Sequence, residues 1–343
     1  MSASGSNTQI LANKYSPTGA PSLDIFKTVT VPAPTKDSLK ENQVLIRSLY
    51  LSIDPYQRNR LTGATDYFAS QYELNKPIHN PGSAIVEAST SPDFAVGEIV
   101  DVPDINWENL SVIDATALRK VPSGTSARDL VTIFSLPSFT AYVGLTEIGK
   151  PKAGETILVS SASGAVGQIV VQIAKARGLR VIGVAGSDDK VEHVKSLGAD
   201  AAFNYKKCGD YVEAIKKVAP EGIDIYYDSV GGEMLDAALA TINDGARIVI
   251  CGMISQYNKA SGEVYGLKNS MKILDRYATV QGFLVGRYYG TATETAFISE
   301  VGKLYREGKI QYRVDETVGL ENAPQAILNL FEGKNHGKSF VKI

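Results

Sequence analysis

Cysteine, histidine and tryptophan are scarce in this chain, at two, three and one among 343 residues. Cys208 and Cys251 cannot build a disulfide framework, which fits a reducing compartment. A structural zinc site needs about four Cys/His ligands, and a catalytic one about three plus a water. His79, His193 and His336 are scattered and no pair sits at ligand spacing, so no metal is expected. An excess of one charge is also missing. Lys+Arg total 35 against 37 Asp+Glu, a formal net charge of -2, so nothing draws the chain to nucleic acid or an anionic membrane. No apolar run approaches the roughly 20 residues that span a bilayer. The opening MSASGSNTQ has neither the basic region nor the apolar core of a secretory signal. The expected location is the cytoplasm.

What is present is ordinary globular composition, 44% apolar and 21% charged, at a length that favours two domains. Residues 1–133 are rich in Pro, Gly and β-branched residues. Strand-like runs at Gln43–Leu51, Ser83–Ala88 and Glu98–Val102 are separated by turn signals such as Asn80-Pro81-Gly82, and Pro34–Asn42 reads as a loop. A small, mostly β domain is expected there. From residue 134 to 308 the rhythm is α/β. Strands at Glu155–Ser161, Arg180–Ala185, Ala201–Tyr205, Ile223–Tyr227, Arg247–Cys251 and Thr279–Val285 alternate with helices at Ala165–Arg177, Asp188–Leu197, Asp210–Val218, Met234–Ile242 and Thr293–Arg306. In the first helix Val166, Ile169, Val170, Ile173 and Ala174 recur at the spacing of one face. The pattern describes a doubly wound parallel sheet covered on both sides. The tail, 309–343, breaks the rhythm with strand-like Tyr312–Val314, helical Ala323–Glu332 and a terminal strand Lys338–Ile343. It is expected to return to the first domain.

The segment Ser161-Ala162-Ser163-Gly164-Ala165-Val166-Gly167 joins a buried strand to an amphipathic helix. Set on the dinucleotide fingerprint G-x-G-x-x-G, its key positions are Ala162, Gly164 and Gly167, so alanine replaces the first glycine. Gly164 permits close backbone approach to a pyrophosphate, and Gly167 close packing of helix on strand. The helix N-terminus offers N–H groups and a positive dipole end. An NAD site places an acid at the end of the second strand, about twenty residues on. Here that strand runs into Gly186-Ser187 with no carboxylate. A 2′-phosphate fits better, with the Ser187 hydroxyl donating and Lys190 supplying charge, although Asp188 and Asp189 would oppose it if they face it. The expected cofactor is NADP(H).

The run Phe139–Lys190 resembles the leukotriene B4 dehydrogenase, prostaglandin reductase and alkenal double-bond reductase branch of the zinc-independent medium-chain dehydrogenase/reductases. The likeness continues through Leu197–Tyr205, Asp228–Glu233 (DSVGGE), Ile250–Asn258 (ICGMISQYN), Gly308–Tyr312 and Asn335–Lys338 (NHGK), and includes Leu51–Arg58 (LSIDPYQR). It implies a Rossmann domain inserted in a GroES-like, mostly β catalytic domain, NADPH without zinc, and a homodimer. Gly164, Ala165, Val166 and Gly167 would hold the pyrophosphate. Lys190 and Tyr205 would contact the adenosine phosphate end, and Asn335 and Phe283, Leu284 and Val285 the nicotinamide half. Tyr257 matches a tyrosine near the reacting carbonyl, and Tyr56 would line the substrate side. Ser229 stands where relatives usually have asparagine. Cys251 lies in a buried strand pattern, where a thiol is ordinarily an inert core group, and is counted among the cofactor-lining positions. The stretch Arg60–Lys76 and the region around Trp107 align poorly and are expected to shape the substrate pocket.

With no zinc to polarise a carbonyl, simple alcohol/ketone chemistry is poorly served. An α,β-unsaturated aldehyde or ketone accepts hydride at its β-carbon and places negative charge on its oxygen, where a Tyr257 hydrogen bond would stabilise the enolate. Two other functions stay open. One is an NADPH quinone reductase on the same fold, and the other a non-catalytic NADPH-binding protein with a structural or regulatory role.

Overall fold

Short runs of alternating polar and apolar residues dominate the first part of the chain, and they fold as strands. The structure is a computed structural model that describes residues 5–65, 70–122 and 124–343. By packing, the chain up to Ser135 groups with Val314–Ile343 as one unit, and Leu136–Arg313 forms a second.

The first unit contains β1 (Ser6–Ala12), β2 (Phe26–Pro32), β3 (Gln43–Ser52), β4 (His79–Ser89), β5 (Ile99–Asn106), β6 (Leu110–Asp114), β7 (Arg119–Lys120) and the single-turn α1 (Gln57–Arg60). β1 and β2 form an antiparallel pair, and β3, β4, β5 and β7 lie in that order in a larger sheet, with β6 also paired to β3. Inward-facing Val44, Ile46, Leu51, Val86, Val100 and Val102 are almost wholly buried in its core. Asn80-Pro81-Gly82, expected as a turn, lies inside β4 at a register shift. The shift accommodates a proline that cannot donate to the ladder. Gly82 is required there because a Cβ would lie 2.4 Å from the Tyr50 carbonyl oxygen.

The two segments expected to shape the pocket are held by local packing. Trp107 is fully buried, stacked on Phe26 at 6.0 Å between ring centroids, and its indole N–H donates to Asn80. It is a core residue, placed there by its large apolar area. Of the Arg60–Lys76 stretch, residues 66–69 lie outside the described residues. Arg60 packs over the ring of the buried Tyr72 at 4.1 Å and donates to the carbonyls of Ser70 and His79.

The second unit contains β8 (Thr156–Val159), β9 (Arg180–Ala185), β10 (Ala201–Asn204), β11 (Ile223–Asp228), β12 (Ile242–Ile250) and β13 (Thr279–Gly282), with helices α2 (Leu136–Val143), α3 (Gly167–Ala176), α4 (Asp188–Ser196), α5 (Tyr211–Val218), α6 (Gly232–Leu239), α7 (Met271–Asp275) and α8 (Ala292–Arg306). All six strands are parallel, in the order β10-β9-β8-β11-β12-β13. The order reverses between β8 and β11. Ligands of open parallel sheets bind beyond the carboxyl ends of the strands at such a switch point. α2 escapes the periodicity argument because Phe139, Ala141, Tyr142 and Val143 are all buried, so it has no contrasting polar face. β13 stops at Gly282, three residues before the end of the expected strand.

The tail enters the first unit at Val314 rather than 309. Gln168 and Gln172 on α3 hold 311–313 in the second unit, their amides bonding both the N–H and the C=O of Arg313 and Gln311 at 2.7–3.1 Å. Beyond them, β14 (Val314–Val318), α9 (Ala323–Phe331) and β15 (Lys338–Lys342) complete the first unit. β15 pairs antiparallel with β3, and β14 parallel with β15. No helix among the described residues is long and apolar enough to cross a membrane.

The return is pinned by charge. Lys338 is fully buried, and its ammonium donates to Asp54 Oδ1 at 2.8 Å and to the Ile53 carbonyl at 2.9 Å. Asp54 is itself buried and takes a further bond from Ser52. Removing one partner strands the other charge, at a cost of about 3–5 kcal/mol. Lys338→Ala should therefore lower the urea midpoint of the first unit sharply, while Lys338→Met combined with Asp54→Leu recovers most of the loss. A single variant as stable as the parent would show that the pair is not holding the return strand.

Candidate active site

The carboxyl ends of the second unit's strands gather most of the candidate residues on one edge. After β8 the chain makes a tight turn through Ser161, which adopts φ +49°, and enters α3 at Gly167. A Cβ on Gly167 would lie 2.3 Å from the Ser161 carbonyl oxygen and 2.6 Å from Ala162 Cα, both backbone atoms. That close approach brings the helix N-terminus, with its orphan N–H groups, directly over the strand end. Gly164 lies in the turn and donates its N–H to the Ser161 carbonyl at 2.9 Å. Val166 stands at the N-cap position and leaves the first N–H groups without a side-chain cap, and the Ala165 carbonyl accepts the Tyr312 hydroxyl at 3.2 Å. The helix then buries Ile169, Val170, Ile173 and Ala174 completely, which fixes its axis.

After β9, Gly186 lies beneath the Tyr205 ring, whose nearest atom would be 3.0 Å from an added Cβ. Ser187 caps α4 by position, but its hydroxyl proton goes to Asp189 at 2.5 Å and is not held out for a phosphate as expected. Asp188 is engaged by Asn204 at 2.8 Å and by Lys207 at 2.5 Å, bonds that lower its pKa. Asp189 lies 3.8 Å from Arg313. Lys190 follows on the first turn of α4, half-buried.

β11 ends in a carboxylate that sequence reasoning missed. Asp228 is fully buried and accepts from the Tyr226 hydroxyl at 2.9 Å, Ser160 Oγ at 3.2 Å, and the N–H groups of Val230 and Gly231 at 2.9 and 3.0 Å. Burial raises its pKa, with the hydrogen bonds it accepts acting the other way. Ser160 also accepts the Ser229 N–H at 2.8 Å, so the turns after β8 and β11 share one network. The signal was an Asp closing the otherwise apolar end of IDIYYD. Ser229 Oγ is buried with no hydrogen-bond partner among the described residues. The weakly bonding Cys251 thiol is its neighbour. An orphaned hydroxyl beside a glycine turn and a helix N-terminus fits a polar ligand laid along this edge.

Cys251 lies just past β12, half-buried instead of in the strand core. Desolvation pushes its thiol up to about 11, so it is not a nucleophile at neutral pH. The same loop carries Tyr257. Its hydroxyl accepts the Met253 N–H at 3.1 Å and stands about 3.0 Å from where a Gly252 Cβ would be. Among the described residues nothing takes its proton. Burial raises the phenol's pKa, with the Met253 bond acting the other way. The group is therefore a neutral donor with its acceptor side already fixed. Phe283, Leu284 and Val285 follow β13, half-buried, with Val285 opening a short helical turn.

The remaining two candidates belong to the first unit. Tyr56 precedes α1 and is half-buried, its pKa raised well above normal, by desolvation first. Asn335 lies between α9 and β15 and donates to the Gly337 carbonyl at 2.9 Å. The Lys338–Asp54 pair brings their two segments together, since Asp54 begins the DPYQR turn.

A family model described as zinc-binding dehydrogenase matches residues 165–303, and one described as N-terminal domain of oxidoreductase matches residues 9–121. The chain is 39% identical over 341 residues to an NADP(+)-dependent 2-alkenal reductase of Nicotiana tabacum, covering 98% of each. It is 39% identical over 328 residues to prostaglandin reductase 1 of Bos taurus, covering 94% of this chain and 95% of the other. The solved structure of CurA from Vibrio vulnificus in complex with NADPH is similar at a TM-score of 0.90 and 36% identity, covering 98% of both chains. Among the described residues no three His, Cys, Asp or Glu side chains gather to hold a metal ion.

The two turn glycines should differ in substitution cost. A Cβ at Gly164 meets only Ser161 atoms at 3.0–3.1 Å, one of them a side-chain oxygen, while at Gly167 it meets backbone at 2.3 Å. Gly167→Ala should cost about 1–3 kcal/mol and Gly164→Ala distinctly less, as read by urea unfolding. Equal costs would mean that the turn yields to accommodate either side chain.

Proposed function

The chain belongs to the medium-chain dehydrogenase/reductase family, in the branch of prostaglandin and 2-alkenal reductases, and from that premise we propose that it is an NADPH-dependent reductase of the carbon–carbon double bond of α,β-unsaturated aldehydes and ketones. The observation that carries this reading is the Tyr257 phenol. It is neutral, held on its acceptor side by the Met253 N–H, and its proton is ungiven on the same sheet edge as the glycine turn. When bound, NADPH supplies hydride to the substrate β-carbon. Gly164, Ala165, Val166 and Gly167 hold its pyrophosphate, with Gly186, Ser187, Lys190 and Tyr205 toward the adenosine phosphate end. Ser229, Cys251, Phe283, Leu284, Val285 and Asn335 line the rest of the cofactor, and Tyr56 faces the substrate.

Charge delocalised onto the carbonyl oxygen meets the Tyr257 O–H, a preorganised donor in a partly desolvated loop. The α-carbon then takes a proton, so one hydride and one proton saturate the double bond and the carbonyl survives. A cytoplasmic location accords with the two unpaired cysteines.

A homodimer is part of the proposal. β13 is an edge strand with all four residues exposed. Near it in sequence, Met271, Leu274, Tyr277 and Val280 are 63%, 71%, 78% and 41% exposed. An unpaired edge flanked by large apolar side chains favours pairing with another chain. Light scattering on the purified protein should give twice the 36.8 kDa chain mass, and Leu274→Asp with Val280→Glu should shift it to monomer. A monomeric parent would remove the dimer from the proposal.

The function is tested by following NADPH consumption with a medium-chain trans-2-alkenal, the matching saturated aldehyde and a quinone, with products identified by mass spectrometry. Only the alkenal should react, giving the saturated aldehyde. Tyr257→Phe should lose about 3 kcal/mol of transition-state stabilisation, roughly a hundredfold in kcat, with little change in NADPH affinity. An alcohol product, or turnover with the quinone alone, would replace this reading.

A further inference from the structure

The loop from Cys251 to Ser270 is long for a connection inside a parallel sheet, where two to six residues are usual. It carries Tyr257, yet no regular strand or long helix braces it. What braces it is a chain of polar contacts that begins on α6. Asp236, buried on that helix, accepts the N–H groups of Lys268 and Asn269 at 2.8 Å each, together with the Asn269 amide at 3.0 Å and the Tyr265 hydroxyl at 3.2 Å. Tyr265 in turn gives its N–H to Gln256 Oε1 at 2.9 Å. The other end of that amide donates to Ser255 Oγ at 2.5 Å, and Ser255 donates to the Val230 carbonyl at 2.7 Å. Gln256 N also bonds the Met253 carbonyl at 2.8 Å. Met253 is the residue whose N–H fixes the Tyr257 hydroxyl.

The far half of the loop is therefore clamped to α6, and the near half to the turn after β11. One side chain, Gln256, joins the halves immediately before Tyr257. We propose that Gln256, anchored through Tyr265 to Asp236, is a positioning residue for Tyr257. It sets where the phenol hydroxyl stands and keeps it aimed when charge develops on the substrate. Neither Gln256 nor Asp236 needs to touch the substrate or the cofactor.

This inference rests on Tyr257 being the donor, and a double-mutant cycle separates the two claims. Gln256 is half-buried on a loop, so Gln256→Ala should leave the fold intact. Asp236→Asn, which retains an acceptor for the two backbone N–H groups, serves as a milder second variant. Steady-state kinetics with trans-2-alkenal and NADPH would be measured for Gln256→Ala, Asp236→Asn, Tyr257→Phe and the combination of Gln256→Ala with Tyr257→Phe. NADPH affinity would be read by fluorescence, and amide exchange over 252–258 by mass spectrometry without cofactor.

Gln256→Ala should lower kcat by about tenfold, with Asp236→Asn lowering it less. NADPH affinity should hold within about twofold, while exchange over 252–258 accelerates. In the Tyr257→Phe background Gln256→Ala should have almost no further effect, since the hydroxyl it positions is gone. If the two losses multiply, or NADPH affinity falls as far as kcat, the positioning role is overturned while Tyr257 stands. If Tyr257→Phe turns over like the parent, the donor assignment fails and the positioning role fails with it.

Discussion

A single buried carboxylate holds the reactive edge of the second unit together. Asp228 receives donors from its own strand, from the turn after β8 and from the turn that follows it, all of them neutral. A charged group without a cation is costly to bury, and here four donors offset that cost. Because the donors come from different segments, the carboxylate couples the glycine turn to the DSVGG turn, and through Val230 to the Ser255–Tyr257 segment. Loss of any one contact is felt by the others. Networks of this kind are high-stakes because a half-satisfied one is worse than none. Conformational precision at the switch point follows from the network more than from the strands themselves.

The first unit solves a similar problem with a true ion pair. Lys338 and Asp54 are far apart in the chain but adjacent in space, and neither touches solvent to any extent. The pair does little for net stability compared with well-packed apolar groups of the same size. Its value lies in register. β15 can meet β3 in only one alignment that satisfies both charges, and that alignment also fixes the DPYQR turn. An apolar contact would allow slippage by two residues without changing the buried face.

Much of this was legible in the sequence, and the parts that were not share a cause. The parallel sheet, its helices and the glycine turn follow from strands of apolar residues alternating with 3.6-residue stripes, as in Ile169, Val170, Ile173 and Ala174. The pattern failed where a local rule was overridden by a contact distant in sequence. Asn80-Pro81-Gly82 reads as a turn, but Gly82 serves close approach to Tyr50 on the neighbouring strand. That the Trp107 side chain itself belongs to the core follows from Phe26 and Asn80, both distant in sequence. The tail's entry at Val314 is set by two glutamines on α3, which no periodicity of the tail itself could show. Asp228 and Asp236 were missed for the same reason, since a lone acid reveals its partners only when the fold is known. α2 was missed because most of its eight residues are buried, Ser138 included, which hides its period.

The two acids that open α4 show why composition at a site must be read together with its pairings. Taken alone, Asp188 and Asp189 argue against a phosphate at the end of β9. In the fold, Asp188 is matched by Lys207 and Asn204, and Asp189 by the Ser187 hydroxyl and, at longer range, by Arg313. Exposed pairs such as these add little to stability, but they change the field that an incoming anion meets. Asp188 already has a counter-charge at short range in Lys207, and Asp189 has the Ser187 hydroxyl, while a dianionic 2′-phosphate would find Lys206 beside the Tyr205 ring, 5.9 Å from its centroid. An adenosine ribose with free hydroxyls would find no acid at the strand end itself, where Gly186 and Ser187 stand. The local charge balance therefore accords with the phosphorylated cofactor, with Lys206 and Lys207 supplied by the turn after β10, next to the Tyr205 that the family resemblance had already singled out.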